Sequence, residues 1–528
     1  MGMPVRADRI HRYVTAYCPE CHQEDPTRPL AEVGRLPGYL TEAEERVWLV
    51  RFCPTHGRVV TMYDEDPEIL RYLEQWTAPT KVHAPDTVGN YLPPPSGYLR
   101  GLGELQTQHT CILLEDVTEA CNLRCPTCFA SSSPDLAGIV PVEDVLASLD
   151  QRLDREHGRI DVLMLSGGEP TVHPEIERIL EEAAARNVVR ILLNTNGIRI
   201  AKDDTFLGRL AELRERVEVY LQFDGFRLET HRHHRGGDLR RVKQETVARL
   251  SEAGIFTTLT MTASSGVNDD EIGEVVMLAL DTPYIGGVCV QPMFGSGRSP
   301  DIDPLNRLTH TGVLKRLGPQ TGGVVTWRDL TALPCSHPHC CSVGYMMRSG
   351  EGEWRSLVSL IGADQLKSHL DLVSNTIADW KLPRTVRTLV KQSLLDLLSE
   401  QSSLTHPTVP ELFRNVCVNC DLGVGDVLRG FLGRADRAKV RDWLGTKVKR
   451  ITVKPFMDVH TMLEERLLQC CVHVGTRGDA GEHQCAPFCA VQAWPALSTQ
   501  KLATRAAKGV PVTLEEVRDG NRQPATHR

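Results

Sequence analysis

Three cysteines spaced as C-x3-C-x2-C constrain this chain more than any other feature of its sequence. Cys121, Cys125 and Cys128 directly follow an apolar run at 112–117. Three closely spaced thiolates can bind three irons of a cubane cluster, whose sites are normally filled by cysteine sulfur. The loop offers no fourth cysteine, so one iron would stay open for another ligand. A zinc site on the same thiols is the alternative, because Zn²⁺ also takes three cysteines and one further ligand.

Strand-like apolar runs alternate with helical patterns between residues 110 and about 300. The runs are 112–117, 162–165, 190–194, 217–223, 256–261 and 287–291. Such alternation predicts an α/β fold made of parallel βα units. Loops that carry function lie at the C-terminal strand ends of such folds. The cysteine loop follows the first run and is therefore expected at this edge.

Short polar motifs follow the next three runs. Ser166-Gly-Gly-Glu-Pro170 ends the second, 194–197 (Asn-Thr-Asn-Gly) the third, and 221–225 (Leu-Gln-Phe-Asp-Gly) the fourth. Two glycines let backbone approach a ligand closely, and Glu169 offers an acceptor. Ordinary turns explain the same residues, and Asn196-Gly197 is a common turn pair.

The cysteine loop and the aromatic residue after it resemble the signature of the radical S-adenosylmethionine (SAM) superfamily. The resemblance implies a partial (β/α)6 barrel, a [4Fe–4S] cluster on Cys121, Cys125 and Cys128, and SAM on its open iron. One electron from that cluster would cleave SAM to a radical that takes hydrogen from carbon, so an external donor of the flavodoxin or ferredoxin type is implied. The resemblance implies SAM contacts at Phe129, Gly167, Gly168, Glu169, Pro170, Asn194, Asn196, Gln222 and Asp224. Gln291 is a further candidate for the same cavity.

Two cysteine knuckles in the first 80 residues form a second metal motif. Cys18-Pro-Glu-Cys21 and Cys53-Pro-Thr-His56 lie some thirty residues apart. Each tight turn brings two ligands onto one tetrahedral ion. The knuckles predict one mononuclear site, with His56 as the local fourth ligand and Cys111 as a distant alternative. The ligands suit zinc and a rubredoxin-like iron equally.

Nine cysteines after residue 330 exceed what one four-ligand centre requires. They predict one or two auxiliary [4Fe–4S] clusters, with structural zinc as the alternative. The pairing of ligands cannot be deduced from sequence. Cys341 and one of the adjacent Cys470 and Cys471 are expected to be spectators, because neighbouring cysteines rarely both reach one metal. The candidate ligands are Cys335, Cys340, Cys417, Cys420, Cys470, Cys471, Cys485 and Cys489.

The order of all these motifs resembles one radical SAM branch, the archaeal tetraether lipid synthases and their bacterial relatives. The matching pieces include the two knuckles, Pro334-Cys-Ser-His-Pro-His-Cys340, 454–458 and 487–489. The resemblance implies carbon–carbon bond formation between lipid alkyl chains. The same branch has been read as pterin-directed radical methyltransferases, so methylation or C–C bond formation on a pterin-like, small-molecule or peptide substrate is the alternative. A non-catalytic zinc-binding protein is the second alternative.

Composition and charge limit the possible partners and domain organisation of the chain. A net charge of −8 gives no sign of nucleic-acid binding, and no window of 18 apolar residues predicts a transmembrane helix. Seventeen cysteines in short motifs suit metal ligation in a reducing cytoplasm. A basic stretch at 429–450 suggests peripheral contact with membrane phosphates, and a solvated helix face explains it as well. The apolar segment 382–398 suggests a channel for an alkyl chain, although such a pattern is normally a core helix. The predicted divisions are a metal-knuckle domain (1–80), a linker (81–109), the barrel (110–305), an auxiliary-cluster domain (306–497) and a polar tail (498–528).

Overall fold

The computed structural model describes residues 9–76, 94–102, 109–156, 158–348, 352–367, 437–478, 481–498 and 505–506. Its strands are β1 (Arg9–Ala16), β2 (Leu36–Ala43), β3 (Arg46–Cys53), β4 (Gly57–Asp64), β5 (Ile112–Thr118), β6 (Gly138–Ile139), β7 (Ile160–Gly167), β8 (Val188–Thr195), β9 (Val217–Gln222), β10 (Thr257–Ala263), β11 (Ile285–Pro292), β12 (Thr331–Ala332), β13 (Ser342–Arg348), β14 (Trp354–Ser356), β15 (Val448–Val453), β16 (Val472–Arg477), β17 (His483–Pro487) and β18 (Arg505–Ala506).

The α-helices span Pro19–Glu24, Pro67–Leu73, Val142–Arg155, Ile176–Ala185, Ile198–Lys202, Asp204–Glu212, Leu228–Arg235, Arg240–Glu252, Ile272–Asp281, His310–Gln320, Leu357–Ile361, Ala363–Lys367, Arg437–Lys447, Glu464–Leu468, Phe488–Ala493 and Pro495–Ser498. Short 3₁₀ helices span Leu30–Glu32, Ser96–Arg100, Pro170–Val172 and Trp327–Asp329. Among these elements, no helix is long and apolar enough to cross a bilayer.

Four antiparallel strands, β1 to β4, form a small sheet near the start of the chain. β3 leads into the second knuckle, and its last residue, Cys53, pairs with Gly57 at the start of β4. The tight connection between β3 and β4 places His56 next to Cys53. The first knuckle lies at the start of the helix Pro19–Glu24, where Cys18 is the N-cap residue.

The six predicted parallel strands are present as β5, β7, β8, β9, β10 and β11, and they are neighbours in this order. Their side chains are buried along most of their length, as expected for parallel strands covered on both faces. Helices predicted between the runs are present, for example Val142–Arg155 and Arg240–Glu252. The predicted α/β class is confirmed.

Two strands from the far part of the chain extend the parallel set on both sides. β15 pairs in parallel with β11, and β16 pairs in parallel with β5. The parallel order is therefore β16–β5–β7–β8–β9–β10–β11–β15, and the sheet crosses the boundary predicted at residue 305. Part of the basic stretch lies in β15, where Lys449 is 1% exposed and donates to the carbonyl oxygens of Thr282 and Ile285. Lys449 is thus unavailable for head groups.

Several predicted features lie outside the described residues. They include most of the linker, the apolar segment 382–398, Cys417 and Cys420, and nearly all of the polar tail.

Candidate active site and metal centres

One cavity brings together most of the residues predicted to hold the SAM cluster and SAM. The loop from Cys121 to Cys128 leaves the carboxyl end of β5, with Cys121 and Cys125 buried and Cys128 half-buried. The predicted residues that line the cavity are Cys121, Cys125, Cys128, Phe129, Gly167, Gly168, Glu169, Asn194, Asn196 and Gln222. Gln291 lines it as well, whereas Pro170 and Asp224 do not. Pro170 instead begins a short, buried 3₁₀ helix.

Gly167 and Gly168 pack the end of β7 against the start of the cysteine loop. The backbone N–H groups of Gly168 and Glu169 donate to the carbonyl oxygens of Thr118 and Ala120, at 2.7 and 2.9 Å. A Cβ atom at Gly168 would overlap the Ala120 oxygen, and one at Gly167 would overlap the Thr118 oxygen. Gly167 also has φ = +115°, which favours glycine. These glycines therefore hold two loops together in addition to leaving room for a ligand.

The Glu169 carboxylate connects the end of β7 to the end of β8. Its Oε1 accepts from the Thr171 hydroxyl and the Thr195 hydroxyl at 2.7 Å, and its Oε2 accepts from the Asn196 N–H at 2.7 Å. Each carboxylate oxygen has about two lone-pair directions, so Oε2 retains capacity for one more donor. Glu169 lines the cavity and can offer that capacity to a bound amine. Its predicted contact with SAM stays a prediction.

Asp224 lies at the predicted strand end and forms an ion pair with Arg235. It is fully buried and accepts from the Nε and Nη2 atoms of Arg235 at 2.6 and 2.7 Å. Burial by itself would raise the pKa of Asp224, but the Arg235 guanidinium lowers it to about 2. Arg235 lines the cavity, and its charge opposes the rise in pKa that burial causes at Cys125. Asp224 therefore positions Arg235, and its predicted contact with SAM stays a prediction.

Lys243 is a buried cation that joins the ends of β8 and β9. Its Nζ donates to the Asn196 carbonyl oxygen and to Gln222 Oε1, both at 2.6 Å. Burial, reinforced by the nearby charge of Arg235, lowers the pKa of Lys243 to about 7. The hydrogen bonds fix the orientation of the Gln222 amide, whose other end contacts Asp224. No sequence motif pointed to Lys243, because it lies on a helix well after the strand ends.

Arg298 lies in the segment that follows β11 and forms hydrogen bonds with the backbone of the cysteine loop. Its Nε donates to the Cys125 carbonyl oxygen at 2.8 Å, and its Nη2 donates to the Ser132 carbonyl oxygen at 2.6 Å. Its backbone N–H donates to the Cys128 carbonyl oxygen at 3.0 Å. The segment after the last predicted strand thus fixes the loop that leaves the first one. No sequence pattern pointed to Arg298.

Aromatic and polar side chains complete the cavity. The rings of Phe129, Phe294, Phe456 and Phe488 contact one another, with centroids 4.5 to 6.2 Å apart. Polar groups that line the cavity include Tyr220, Thr260, Gln291 and Lys454, and Gln291 Nε2 donates to the Tyr220 hydroxyl at 3.0 Å. Phe456, Phe488 and Lys454 come from the C-terminal part of the chain, which therefore covers one side of the barrel.

The two knuckles form a compact four-ligand group. The Nδ1 atom of His56 lies 3.4 Å from Cys21 Sγ and 3.6 Å from the sulfurs of Cys18 and Cys53. Cys21 Sγ and Cys53 Sγ are 3.6 Å apart, close to the spacing of about 3.8 Å that zinc–sulfur bonds of 2.3 Å give in a tetrahedron. His56 Nε2 contacts the Glu24 carboxylate at 3.0 Å, a common way to orient a histidine ligand. His56 completes the group, and the alternative ligand Cys111 lies elsewhere.

We expect the Cys21→Ser variant of the full chain to lose one metal ion per molecule. The serine hydroxyl is a poorer ligand than a thiolate, and the remaining three ligands cannot close the tetrahedron. Metal analysis of the purified variant against the natural chain measures this loss. Glu20→Ser in the same turn is the matched control and should keep the ion. An unchanged metal content in Cys21→Ser would show that the knuckles are only turns.

The C-terminal cysteines separate into different surroundings. Cys335 and Cys471 form a close group with Cys111. Cys340 Sγ accepts from Arg466 Nε at 3.3 Å, and Cys470 Sγ donates to the Val472 carbonyl oxygen at 3.2 Å. Of the C-terminal cysteines that the structure describes, only Cys335 and Cys471 belong to a close group of possible ligands.

Cys485 does not share the surroundings of Cys489, although the two were predicted from one motif. It pairs with Gly475 across β16 and β17, and the charged groups that act on it include Arg152 and Glu115. Cys489 instead accepts from the Met457 N–H at 3.4 Å and follows Phe488, which lines the cavity. The chain changes from strand to helix between them, because Cys485 lies in β17 and Cys489 lies in the helix Phe488–Ala493.

Comparisons with known proteins agree with this geometry. The model of the Radical SAM superfamily matches residues 116–279, and that of the HMPTM N-terminal zinc ribbon domain matches residues 10–65. The 7,8-dihydro-6-hydroxymethylpterin dimethyltransferase of Methanocaldococcus jannaschii is 25% identical over 487 residues, covering 86% of this chain and 90% of that protein. The GTP 3',8-cyclase of Moorella thermoacetica is 33% identical over 175 residues, covering 32% of this chain and 51% of the cyclase. The crystal structure of Streptococcus suis SuiB bound to S-adenosylmethionine aligns with a TM-score of 0.35 and 17% identity over 41% of this chain and 48% of SuiB.

The described residues fit the cofactors that these matches imply. Three cysteines without a fourth converge on the cavity, beside glycines and polar groups at the neighbouring strand ends. The knuckles offer four ligands at tetrahedral spacing for one mononuclear ion, and further cysteines remain for an auxiliary cluster. The chain therefore carries a radical SAM domain with a zinc ribbon ahead of it, and its cofactors are a [4Fe–4S] cluster and SAM.

Proposed function

We propose that this enzyme transfers methyl groups by radical chemistry to a pterin-like heterocycle. The observation that carries the proposal is the similarity to the pterin dimethyltransferase, which extends over 86% of this chain and 90% of that protein. A similarity of this extent includes the zinc ribbon and C-terminal part as well as the radical SAM domain. The other curated relative reported above covers the radical SAM region and little more.

The chemistry of the cavity supports a flat, polar substrate. Phenylalanine rings at Phe294, Phe456 and Phe488 offer faces and edges on which a planar heterocycle can stack. Gln291, Tyr220 and Lys454 offer donors and acceptors for ring nitrogens and oxygens. A few polar groups in an aromatic cavity are typical of a site that orients a small molecule.

The protein's own residues then have separable roles. When bound, the cluster and SAM supply the one-electron chemistry that no side chain can provide. Cys121, Cys125 and Cys128 bind the cluster, and Arg235 keeps a positive charge beside Cys125. Arg298 fixes the loop that carries these cysteines. Positioning of this kind places reacting atoms in contact, and the phenylalanine rings that line the cavity exclude water from reactive species.

The coupling of lipid alkyl chains, which the motif order favoured, has less support. A wide apolar cavity would favour lipid chains, whereas this cavity is lined by amide, hydroxyl and charged groups as well as rings. The segment suggested as an alkyl channel lies outside the described residues. In the described part of the basic stretch, Lys449 is buried and cannot contact a membrane, whereas Lys439 is exposed.

The proposal is tested by anaerobic incubation of the full chain with SAM, dithionite and 7,8-dihydro-6-hydroxymethylpterin. We expect mass spectrometry to show pterin products heavier by one or two methylene units, and a methyl label supplied in SAM to appear in them. A parallel incubation with a lipid extract should give no coupled chains. Coupled lipids without methylated pterin would contradict the proposal and restore the lipid reaction.

We expect Gln291→Leu to lower the yield of methylated pterin by roughly five- to twelvefold. The substitution keeps the volume but removes an amide from the cavity, and one lost hydrogen bond costs about 1–1.5 kcal/mol. Formation of 5′-deoxyadenosine should continue in this variant, since the amide is expected to contact substrate. Gln75→Leu, on an exposed helix end, is the matched control. Equal product yields in both variants would place the substrate elsewhere.

A further inference from the structure

We infer that Cys111, Cys335 and Cys471 bind a second mononuclear metal ion, separate from the zinc ribbon and from the SAM cluster. Their sulfur atoms all lie within 4.8 Å of one another, and all three residues are buried. Two of these cysteines were predicted as ligands of an auxiliary iron–sulfur cluster, and Cys111 as a distant ligand of the ribbon. The geometry points to a single ion shared by all three.

The sulfur spacing decides between one ion and a cluster. Cys111 Sγ and Cys335 Sγ are 3.8 Å apart, and zinc–sulfur bonds of 2.3 Å in a tetrahedron give about the same distance. In a cubane cluster each thiolate binds a different iron, so the sulfurs are held further apart. The same molecule shows this contrast. Among the described residues, only the ribbon ligands and this triad form such close groups, and the three cysteines of the SAM loop do not.

The sheet brings the three cysteines together at the start of two strands. Cys111 immediately precedes β5, and Cys471 immediately precedes β16. These strands pair in parallel from Ile112 and Val472 onward, and the N–H groups of Cys111 and Ile112 both donate to the Cys471 carbonyl oxygen at 3.0 Å. Cys335 reaches the pair from the loop between β12 and β13. A metal ion at this point ties the loop to two neighbouring strands of the barrel.

His109 is the candidate for the fourth ligand, although it lies outside the close group of three sulfurs. Its Nδ1 and Nε2 lie 3.7 and 3.9 Å from Cys111 Sγ, and its Nε2 also lies 3.3 Å from the Asp161 carboxylate. A carboxylate on one ring nitrogen of a histidine commonly directs the other nitrogen toward a metal. In the ribbon, His56 has such a carboxylate partner in Glu24, and its Nδ1 lies 3.4 to 3.6 Å from all three sulfurs. Three cysteines and one histidine form a standard structural zinc set, and the same ligands also accept Fe²⁺.

This assignment changes what remains for an auxiliary cluster. Cys335 and Cys471 leave the set of cluster ligands, so Cys340, Cys470, Cys485 and Cys489 are the predicted ligands that remain among the described cysteines. The buried Arg466 donates to the Cys340 sulfur, the Tyr63 hydroxyl and the Pro455 carbonyl oxygen, and so ties Cys340 to two other segments.

The test compares total metal with acid-labile sulfide in the anaerobically purified full chain. A [4Fe–4S] cluster contributes iron and sulfide in equal amounts, whereas a mononuclear ion contributes metal alone. We expect an excess of two metal ions per chain in the natural protein and one in Cys111→Ser. Cys289→Ser, at a buried cysteine outside the close groups, should keep the excess of two. An excess of one in the natural chain, or a loss of iron and sulfide together in Cys111→Ser, would overturn the inference.

A second measurement covers the case in which Cys111→Ser does not fold. The Cys21→Ser variant removes the ribbon ion and leaves the triad intact. Its remaining excess metal should show three sulfur neighbours and one nitrogen neighbour in X-ray absorption, at the bond lengths of a tetrahedral site. A four-sulfur shell would assign a different fourth ligand than His109, and His109→Ala would then keep the ion. An absence of any excess metal in Cys21→Ser would reject the site altogether.

Discussion

Alanine at Cys121, Cys125 and Cys128 together is expected to abolish formation of 5′-deoxyadenosine from SAM. These three are the cysteines that line the cavity among the described residues. Side chains without sulfur cannot hold the iron on which SAM is chelated. Chromatographic detection of 5′-deoxyadenosine after anaerobic reduction measures the effect, with the natural chain as reference.

The triple variant should still bind metal elsewhere. The ribbon ligands Cys18, Cys21, Cys53 and His56 are distant from the substitution in the sequence and belong to a different sheet. We therefore expect an unchanged mononuclear ion and a loss of about four irons and four sulfides, because one cubane is removed. Continued SAM cleavage in the triple variant would show that the cluster is held by other residues.

Gly168→Ala is expected to reduce SAM cleavage nearly as far as the cysteine substitutions do. A methyl group at this position would overlap the carbonyl oxygen of Ala120, which is one residue before Cys121. Because the obstacle is backbone, it cannot rotate away as a side chain would, and the cysteine loop must shift. Ligands of a cluster tolerate little displacement from their productive geometry. Iron and sulfide content, with SAM cleavage, measures the result.

Gly208→Ala is the matched control for that substitution. Gly208 lies inside the helix Asp204–Glu212, and a Cβ atom there would contact nothing within 4 Å. Alanine favours a helix over glycine by up to about 1 kcal/mol, so this variant should be as stable as the natural chain or more so. Full activity in Gly168→Ala would show that the cysteine loop can move without loss of the cluster.

Local patterns predicted the parallel core well because each strand carries its own signal. The apolar runs that became β5 and β7 to β11 were long, bounded by turns and separated by helical segments. β15 and β16 were missed for a physical reason. β15 contains Lys449 and Arg450 among its apolar residues, and β16 follows two cysteines that were interpreted only as ligands. Their place in the sheet depends on pairing with distant strands, which no local pattern encodes.

In the site, too, residues in local motifs were predicted, whereas residues that act through distant contacts were not. The cysteine loop and the two glycines were found from their spacing, and the structure places them together in one cavity. Arg298 and Lys243 act through backbone carbonyl oxygens on other strands, so their sequence neighbours carry no sign of the contact. Asp224 was placed at the correct strand end, but the direction of its side chain depends on Arg235, which lies on a helix that was not predicted to reach the site.

The pairing of β16 with β5 has a consequence for how the chain is made. Val472 pairs opposite Ile112, and the two are 360 positions apart. At a synthesis rate of 5–20 residues per second, the open edge of β5 waits roughly 20–70 s for its neighbour to leave the ribosome. An uncovered strand edge is a template for pairing with other chains. Expression conditions that slow elongation late in the message should therefore increase aggregation of the nascent protein, and chaperones that shield strand edges should reduce it.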